Sequence, residues 1–144
     1  MDPVYASYSA ARRCARHGLR PAAHLVRGGM RPVFACDLSC PTRIGKGSVL
    51  PRHALGAVIH PAAEIGENCK AGQNVTIGRR KGINVLPRLG DRVTVGCGSL
   101  ILGPVTVGDD AVIGARAVVI HDVPSGATAV GVPARILEGR RGDS

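Results

Sequence analysis

Residues 89–124 read LGDRVT VGCGSL ILGPVT VGDDAV IGARAV VIHDVP when the sequence is divided into sixes. Each block opens with Leu, Val or Ile, four of the six have Gly second, and the fifth residue is always Val, Ser or Ala. This period is typical of a solenoid in which short strands join at tight corners and stack coil on coil. We expect the aliphatic opener to point inward beside the small fifth residue. We expect the Gly or Asp after the opener to support a turn by taking positive φ.

The same pattern begins more weakly before this stretch. Its earlier blocks are IGKGSV (44–49), IHPAAE (59–64), IGENCK (65–70), AGQNVT (71–76) and the start of IGRRKG (77–82). With three blocks to a triangular coil, the eleven openers predict roughly four coils. Residues 50–58 break the phase, and residues 79–88 keep it while carrying four basic residues. Both interruptions predict surface loops, which often lie at a binding face.

Composition favours a single domain with a narrow, layered interior. The chain has 144 residues, and its three aromatic residues are Tyr5, Tyr8 and Phe34. Because no aromatic residue follows, a sandwich or a doubly wound sheet is not expected. No run of about eighteen apolar residues occurs, so no integral membrane segment is expected.

The net charge and the cysteines limit the classes of partner and of metal site that we expect. The formal net charge of +9 favours a polyanion, either nucleic acid or a phosphorylated cofactor. Nucleic acid is not expected, because no basic run alternates with aromatics and no helix-turn-helix or zinc-finger spacing appears. The five cysteines include no CxxC pair, and no signal peptide is evident. We therefore expect reduced thiols, a cytoplasmic location and no metal site.

The sequence divides into three parts. Residues 1–36 form a basic, partly helical N-terminal arm, residues 37–137 the repeat domain, and residues 138–144 a flexible tail. Within the arm, YASYSAARRCARHGL predicts one short helix and AAHLVRG one further turn. The arm is either a membrane-surface or partner helix, or it packs on the solenoid and covers an open strand edge. The second interpretation is favoured because exposed edges need covering. Near the end, ATAVGVPARIL predicts one more extended segment.

Several segments resemble the hexapeptide-repeat acyltransferases, and most closely their serine O-acetyltransferase branch. The likeness is carried by the late hexads and by HALG (53–56), VIHPAAEIGENC (58–69), QNVTIG (73–78) and GVPARIL (131–137). It implies an all-β fold, a left-handed parallel β-helix with a short, partly helical arm. The chain would be a short form that lacks the N-terminal helical domain of that branch. It also implies transfer of acetyl from acetyl-CoA to a hydroxyl, with L-serine in cysteine biosynthesis as the acceptor.

The resemblance assigns two catalytic residues. His53 occupies the histidine position of the H-x-x-G segment and would be the general base, since imidazole titrates near neutrality. Asp37, in DLSCPTRIG, falls where the family has an aspartate that orients this histidine. A carboxylate on the far ring nitrogen would fix the tautomer and stabilise the imidazolium.

The resemblance also assigns a cofactor site and an assembly. CoA would lie in a groove between subunits of a homotrimer, held largely by main chain. The residues matched to it are Gly78, Arg79, Cys97, Ala115 and Arg135. Small residues let the backbone approach the pantetheine arm, and arginine suits CoA phosphates.

Some residues depart from that branch and leave the acceptor open. Arg52 stands where the branch has an acidic residue, and Val85 and Leu86 replace an Arg-His pair. The groups that would read serine's amine and carboxylate are therefore missing. A sugar of a surface polysaccharide, or another biosynthetic intermediate, remains an alternative acceptor, and a non-catalytic scaffold an alternative role. A metal hydratase like the γ-type carbonic anhydrases is disfavoured, since the histidines lack the spacing of a three-histidine zinc site.

Overall fold

The computed structural model describes residues 3–35, 37–38, 42–50 and 55–137. Two helices come first, α1 (Pro3–Arg16) and α2 (Arg20–Phe34). The strands that follow are β1 (Asp37–Leu38), β2 (Arg43–Ile44), β3 (Val58–Ile59), β4 (Glu64–Ile65), β5 (Lys70–Ala71), β6 (Thr76–Gly78), β7 (Arg88–Leu89), β8 (Thr94–Val95), β9 (Leu100–Leu102), β10 (Thr106–Val107), β11 (Val112–Ile113), β12 (Val118–Val119), β13 (Thr128–Val130) and β14 (Arg135–Ile136). The predicted tail, residues 138–144, lies outside the described residues.

The strands form three parallel sheets, which are the three faces of a left-handed β-helix, as predicted. Face 1 has the order β1-β3-β6-β9-β12, and face 2 the order β2-β4-β7-β10. Face 3 has the order β5-β8-β11-β13-β14, and only its last pairing is antiparallel. The chain passes from face 1 to face 2 to face 3 and back, so residues that are distant in sequence stack in columns.

The inward-facing positions agree with the predicted hexads. The openers Ile77, Ile101 and Ile113 are fully buried, and so are the fifth-position residues Val93 and Ala117. In register, Ile77 pairs with Ile101 across face 1. Because each opener covers the opener of the next coil, the core is one continuous apolar column.

The predicted role of the second-position glycines is wrong. Positive φ occurs instead at the fourth position of the hexad, for example at Asn74, Arg92 and Arg116. The second-position glycines are needed because successive coils approach closely: a Cβ on Gly96 would lie 2.5 Å from the backbone nitrogen of Ala115. Glycine at this position therefore sets the spacing between coils.

Five coils form where roughly four were expected. Leu50 is buried and acts as an opener, and Val49 pairs with Lys70 through an isolated bridge. In the last coil Val123 bridges to Val107 in the same way. Leu50 lies six residues after Ile44 and so keeps the period, although residues 50–58 were predicted as an interruption. Val123 falls two residues before the next expected opener, so a strict six-residue count misses it. Residues 79–87 form the predicted loop, between β6 and β7.

The N-terminal arm packs on the first coil. The buried hydroxyl of Tyr8 donates to the carbonyl of Thr42 and accepts from the Ile44 amide at 3.3 Å. Because β2 is an edge strand, Tyr8 satisfies backbone groups that no preceding coil can reach. Helix α2 is longer than the single turn predicted. No helix among the described residues is long and apolar enough to cross a membrane.

The C-terminal segment reverses direction. The predicted single extended stretch is instead the strand pair β13 and β14, with Val130 opposite Arg135. The turn between them contains Gly131 at φ 97° and a cis Val132–Pro133 bond. Glycine permits the positive φ that this reversal requires.

Candidate functional site

The candidate site follows one corner of the β-helix, where the chain passes from face 3 to face 1. We call this the 3–1 corner, and its described residues are 55–57, 72–75, 96–99 and 114–117. The turn at residues 131–134, between β13 and β14, bonds to face 1 and extends the column by one coil. Backbone hydrogen bonds of 2.8 Å join the first four coils here. In each bond the amide of one coil donates to a carbonyl of the coil before it: Asn74 to Leu55, Gly98 to Gln73 and Arg116 to Cys97. The corner is therefore a continuous column, with about 4.8 Å between neighbouring coils.

The HALG segment begins this column and brings Asp37 close to it. His53 itself lies outside the described residues. Gly56, at φ 67°, ends the segment, and its amide donates to the carbonyl of Ala35 at 2.8 Å. Asp37 lies two residues after Ala35, and Val58 lies two residues after Gly56. These two residues pair in register, so β1 lies beside β3, the strand that follows HALG. The backbone thus places Asp37 beside the strand that follows the described end of the HALG segment.

Cys97 and Ala115 lie further along the same corner. Both are exposed, and each occupies the third position of its hexad. The Cys97 thiol donates to Oε1 of Gln73 at 3.0 Å, and Gln73 is the third residue of the hexad below. Gln73 was not predicted as a site residue, although its hexad position matches that of Cys97. At Cys97 and Ala115 the column presents small side chains to solvent, which lets an extended ligand approach the main chain.

Gly78 and Arg79 lie at the opposite edge of face 1, where the chain turns toward face 2. Gly78 is buried, yet a Cβ built on it would meet no atom within 4 Å. Open space therefore adjoins this glycine on the side where a Cβ would lie. The structure does not bring this pair to the 3–1 corner, because the width of face 1 separates them from Cys97 and Ala115.

Arg135 lies at the end of the column. It is exposed on β14, opposite Val130. The turn before it is bonded to face 1: the Val118 amide donates to the carbonyl of Gly131 at 3.0 Å, and the Ala134 amide donates to the carbonyl of Val118 at 2.8 Å. Arg135 therefore follows a turn that lies on the last coil, one coil beyond Ala115.

Charge is distributed unequally between the corners. The described residues of the 3–1 corner include no Asp or Glu, and Arg116 is exposed there. The corner between faces 2 and 3 carries carboxylates instead, at Glu67, Asp91, Asp109 and Asp110. The absence of carboxylates among its described residues therefore favours an anion along the 3–1 corner. Arg116 directly follows the predicted residue Ala115 but was not itself among the predicted site residues.

The acidic corner is internally bonded. The Glu67 amide donates to Asp91 Oδ1, and the Asp91 amide donates to Asp109 Oδ1, both at 2.8 Å. Arg92 Nε lies 2.7 Å from Asp110 Oδ1. The hydrogen bond from this guanidinium lowers the pKa of Asp110 below its ordinary value. These carboxylates therefore join neighbouring coils.

The other histidines do not form a site. Nδ1 of His60 accepts a hydrogen bond from the Ala62 amide at 3.2 Å, which is a local structural role within one corner. His121 is exposed on the last coil. Among the residues that the structure describes, no group of three His, Cys, Asp or Glu side chains could hold a metal ion.

Comparison with known proteins agrees with this architecture. Residues 87–121 match the family described as bacterial transferase hexapeptide (six repeats). A probable serine acetyltransferase 1 from Oryza sativa subsp. japonica is 44% identical over 126 residues, which are 86% of this chain and 41% of that protein. This chain belongs to the hexapeptide-repeat acyltransferases, on their serine acetyltransferase branch.

Solved structures lead to the same family. Soybean serine acetyltransferase complexed with serine has a TM-score of 0.85 and 37% identity, over 93% of this chain and 56% of that one. A serine acetyltransferase in complex with CoA has a TM-score of 0.83 and 32% identity, over 93% and 55% of the two chains. The present chain thus spans roughly half the length of these relatives.

Proposed function

We propose that the protein is an acetyl-CoA-dependent O-acetyltransferase with L-serine as its acceptor. The observation that carries this proposal is the 3–1 corner, a column that exposes the small residues Cys97 and Ala115 and includes no carboxylate among its described residues. The column starts at the HALG segment and ends at GVPAR. Relatives solved with serine and with CoA support the choice of both substrates. A role in cysteine biosynthesis would follow from this activity, and the location that we propose for it is the cytoplasm.

In the proposed reaction, His53 is the general base. Acetyl-CoA, when bound, supplies the acetyl group as a thioester. The His53 imidazole takes the proton from the serine hydroxyl as its oxygen attacks the thioester carbonyl. The imidazolium then gives this proton to the departing thiolate, so the products are O-acetylserine and CoA. Asp37 would hold the imidazole in the required tautomer and stabilise its charged form.

The cofactor would contact residues from two subunits. Cys97 and Ala115 lie at one edge of face 1, and Gly78 and Arg79 at the other. A homotrimer with grooves between neighbouring β-helices would bring the first pair of one subunit to the second pair of the next. Arg135 would bind the CoA phosphates with charge-assisted hydrogen bonds. A stable monomer in light scattering would contradict this shared site.

A sugar hydroxyl is the second candidate acceptor. Val85 and Leu86 stand in the loop after β6, and Val85 is 59% exposed. These apolar residues cannot pair with a carboxylate, so a substrate without an amino-acid head group would fit them better than serine does.

The test is thiol release from acetyl-CoA with L-serine, homoserine or a nucleotide sugar as acceptor. Turnover with serine is expected, and His53→Ala should lower kcat by roughly 10²–10⁴-fold. His121→Ala is the matched control and should retain activity, since His121 is exposed on a distant coil. Turnover with a sugar alone would replace serine as the acceptor. Unchanged activity in His53→Ala would refute the mechanism, and no turnover despite CoA binding would favour a scaffold.

A further inference from the structure

A cleft of about 640 Å³ separates helix α1 from the first coils. One wall is α1, which contributes Tyr5 and Ser9 and then a series of arginines. The other wall is the backbone of Gly45 with the side chains of Lys46 and Glu67. Tyr8 holds the walls together through its bonds to the first coil. The cleft is therefore a fixed feature of the fold.

The cleft is strongly basic. Its cations are Arg12, Arg13, Arg16 and Lys46, and Glu67 is the one carboxylate among its described lining residues. Neither helix contains an acidic residue. Within the described part of the chain, these four cations have no carboxylate within 4.0 Å. Nη1 of Arg12 donates instead to the Tyr8 hydroxyl at 3.2 Å.

Helix stability alone does not account for this cluster. Arg13 and Arg16 lie in the last turn of α1, where cations favour the helix dipole. Arg12 and Lys46 lie outside that turn, and Lys46 comes from a different element. Ser9, Arg12, Arg13 and Arg16 have the spacing of one helix face, so the charges converge on the same concavity. Like charges that converge repel one another unless an anion lies between them.

We propose that this cleft binds a small phosphorylated molecule. Its phosphate would lie between the arginines of α1 and Lys46, because guanidinium groups bind phosphate oxygens with charge-assisted hydrogen bonds. Tyr5 and Ser9 would contact the remainder of the molecule. The concave shape favours a compact ligand over a long nucleic acid, which needs an extended basic surface.

The proposed ligand site is separate from the acetyl-CoA groove. Lys46 and Glu67 belong to the corner between faces 2 and 3, whereas Cys97 and Ala115 belong to the 3–1 corner. The inference therefore stands independently of the proposed acetyltransferase activity, and its test uses neither acetyl-CoA nor an acceptor.

The experiment is calorimetric titration of the full chain at low ionic strength with glucose 6-phosphate and, separately, with inorganic phosphate. We expect saturable binding with one site per chain. Arg16→Gln should weaken it about tenfold, the value of one charged hydrogen bond. Arg20→Gln is the matched control, since it removes an equally exposed charge outside the cleft. Glu67→Gln should tighten binding because it removes the opposing carboxylate.

The results distinguish an organic phosphate ester from free phosphate, and either of them from a nucleic acid. Tighter binding of the sugar phosphate supports an organic phosphate ester, and equal binding supports free phosphate in the same cleft. Absence of heat with both probes would overturn the proposal. So would an equal loss in Arg16→Gln and Arg20→Gln, or binding of a long single-stranded RNA alone. Circular dichroism of each variant verifies that the fold is retained.

Discussion

Substitution of Gly96 by alanine tests the view that second-position glycines set the coil spacing. The added Cβ would lie 2.5 Å from Ala115 N, 2.7 Å from Gly114 C and 2.8 Å from Ala115 Cα. All three atoms are backbone, so no side chain can rotate away. The first distance is about 0.9 Å short of the 3.4 Å at which ordinary contact begins. The coils must therefore separate at this corner.

The loss in the free energy of unfolding follows from the two backbone hydrogen bonds that this separation would break. The Gly96 amide donates to Ile113 O and the Arg116 amide donates to Cys97 O, both at 2.8 Å. Stretching both bonds by most of an ångström removes about 1 kcal/mol each, and overpacking adds about 1–3 kcal/mol. We expect a loss of about 3–5 kcal/mol in the free energy of unfolding. The corresponding fall in Tm is roughly 6–20 °C.

Urea unfolding and thermal scans at fixed protein concentration measure this effect. Gly28→Ala is the control, because Gly28 lies in α2 and a Cβ there would meet no atom within 4 Å. That variant should gain about 0.5–1 kcal/mol, since alanine is the better helix former. If Gly96→Ala unfolds within about 0.5 kcal/mol of the wild type, the glycines have another role and the reasoning is refuted.

Further predictions concern the groove, the arm and the acidic corner. Gly78→Ala should leave Tm unchanged, since its Cβ would meet no atom, and should raise the KM for acetyl-CoA; an unchanged KM would remove Gly78 from the groove. Tyr8→Phe should lower the free energy of unfolding by about 1–3 kcal/mol in urea titrations, because the carbonyl of Thr42 loses its buried donor. The pKa of Asp110, measured by NMR titration, should lie below 3.8 and rise in Arg92→Gln. Because the folded-state pKa is the lower one, this pair's stabilisation is present above about pH 4 and is lost as the pH falls through the lowered pKa. If the stability of Asp110→Asn varied with pH in the same way as that of the wild type, the Arg92–Asp110 pair could not be the source of this pH dependence.

The period of the sequence predicts the fold because the core consists of one repeated contact. An aliphatic opener such as Ile101 covers the opener of the next coil, and that requirement is visible in every block. The period does not reveal why glycine follows the opener. A positive φ and a close approach of neighbouring coils both favour glycine, and the sequence alone cannot distinguish them. Val123 shows a further limit: it continues the core only four residues after the opener Val119, which a fixed period of six does not detect.

The sequence was a weaker guide to the arm and to the full site. Helix α2 contains Gly28, Gly29 and Pro32, which have low helix propensity, and it is stabilised by tertiary packing at the buried Ala23. Columns at the corners become visible only when the coils are stacked. The loop at residues 79–87 lengthens one coil, so Gln73 lies beside Cys97, 24 residues later, which a fixed count of three hexads does not suggest.

The reversed strand β14 limits how the β-helix can grow. A parallel solenoid is open-ended in principle, because the last coil offers the same backbone groups to a further coil that it offered to the previous one. Here β14 runs antiparallel to β13, with Ala129 opposite Ile136 and Val130 opposite Arg135. A strand of the opposite direction occupies that template, so another molecule cannot add its first coil to face 3 in the parallel register. The β13–β14 hairpin thus prevents head-to-tail polymerisation through face 3 into filaments.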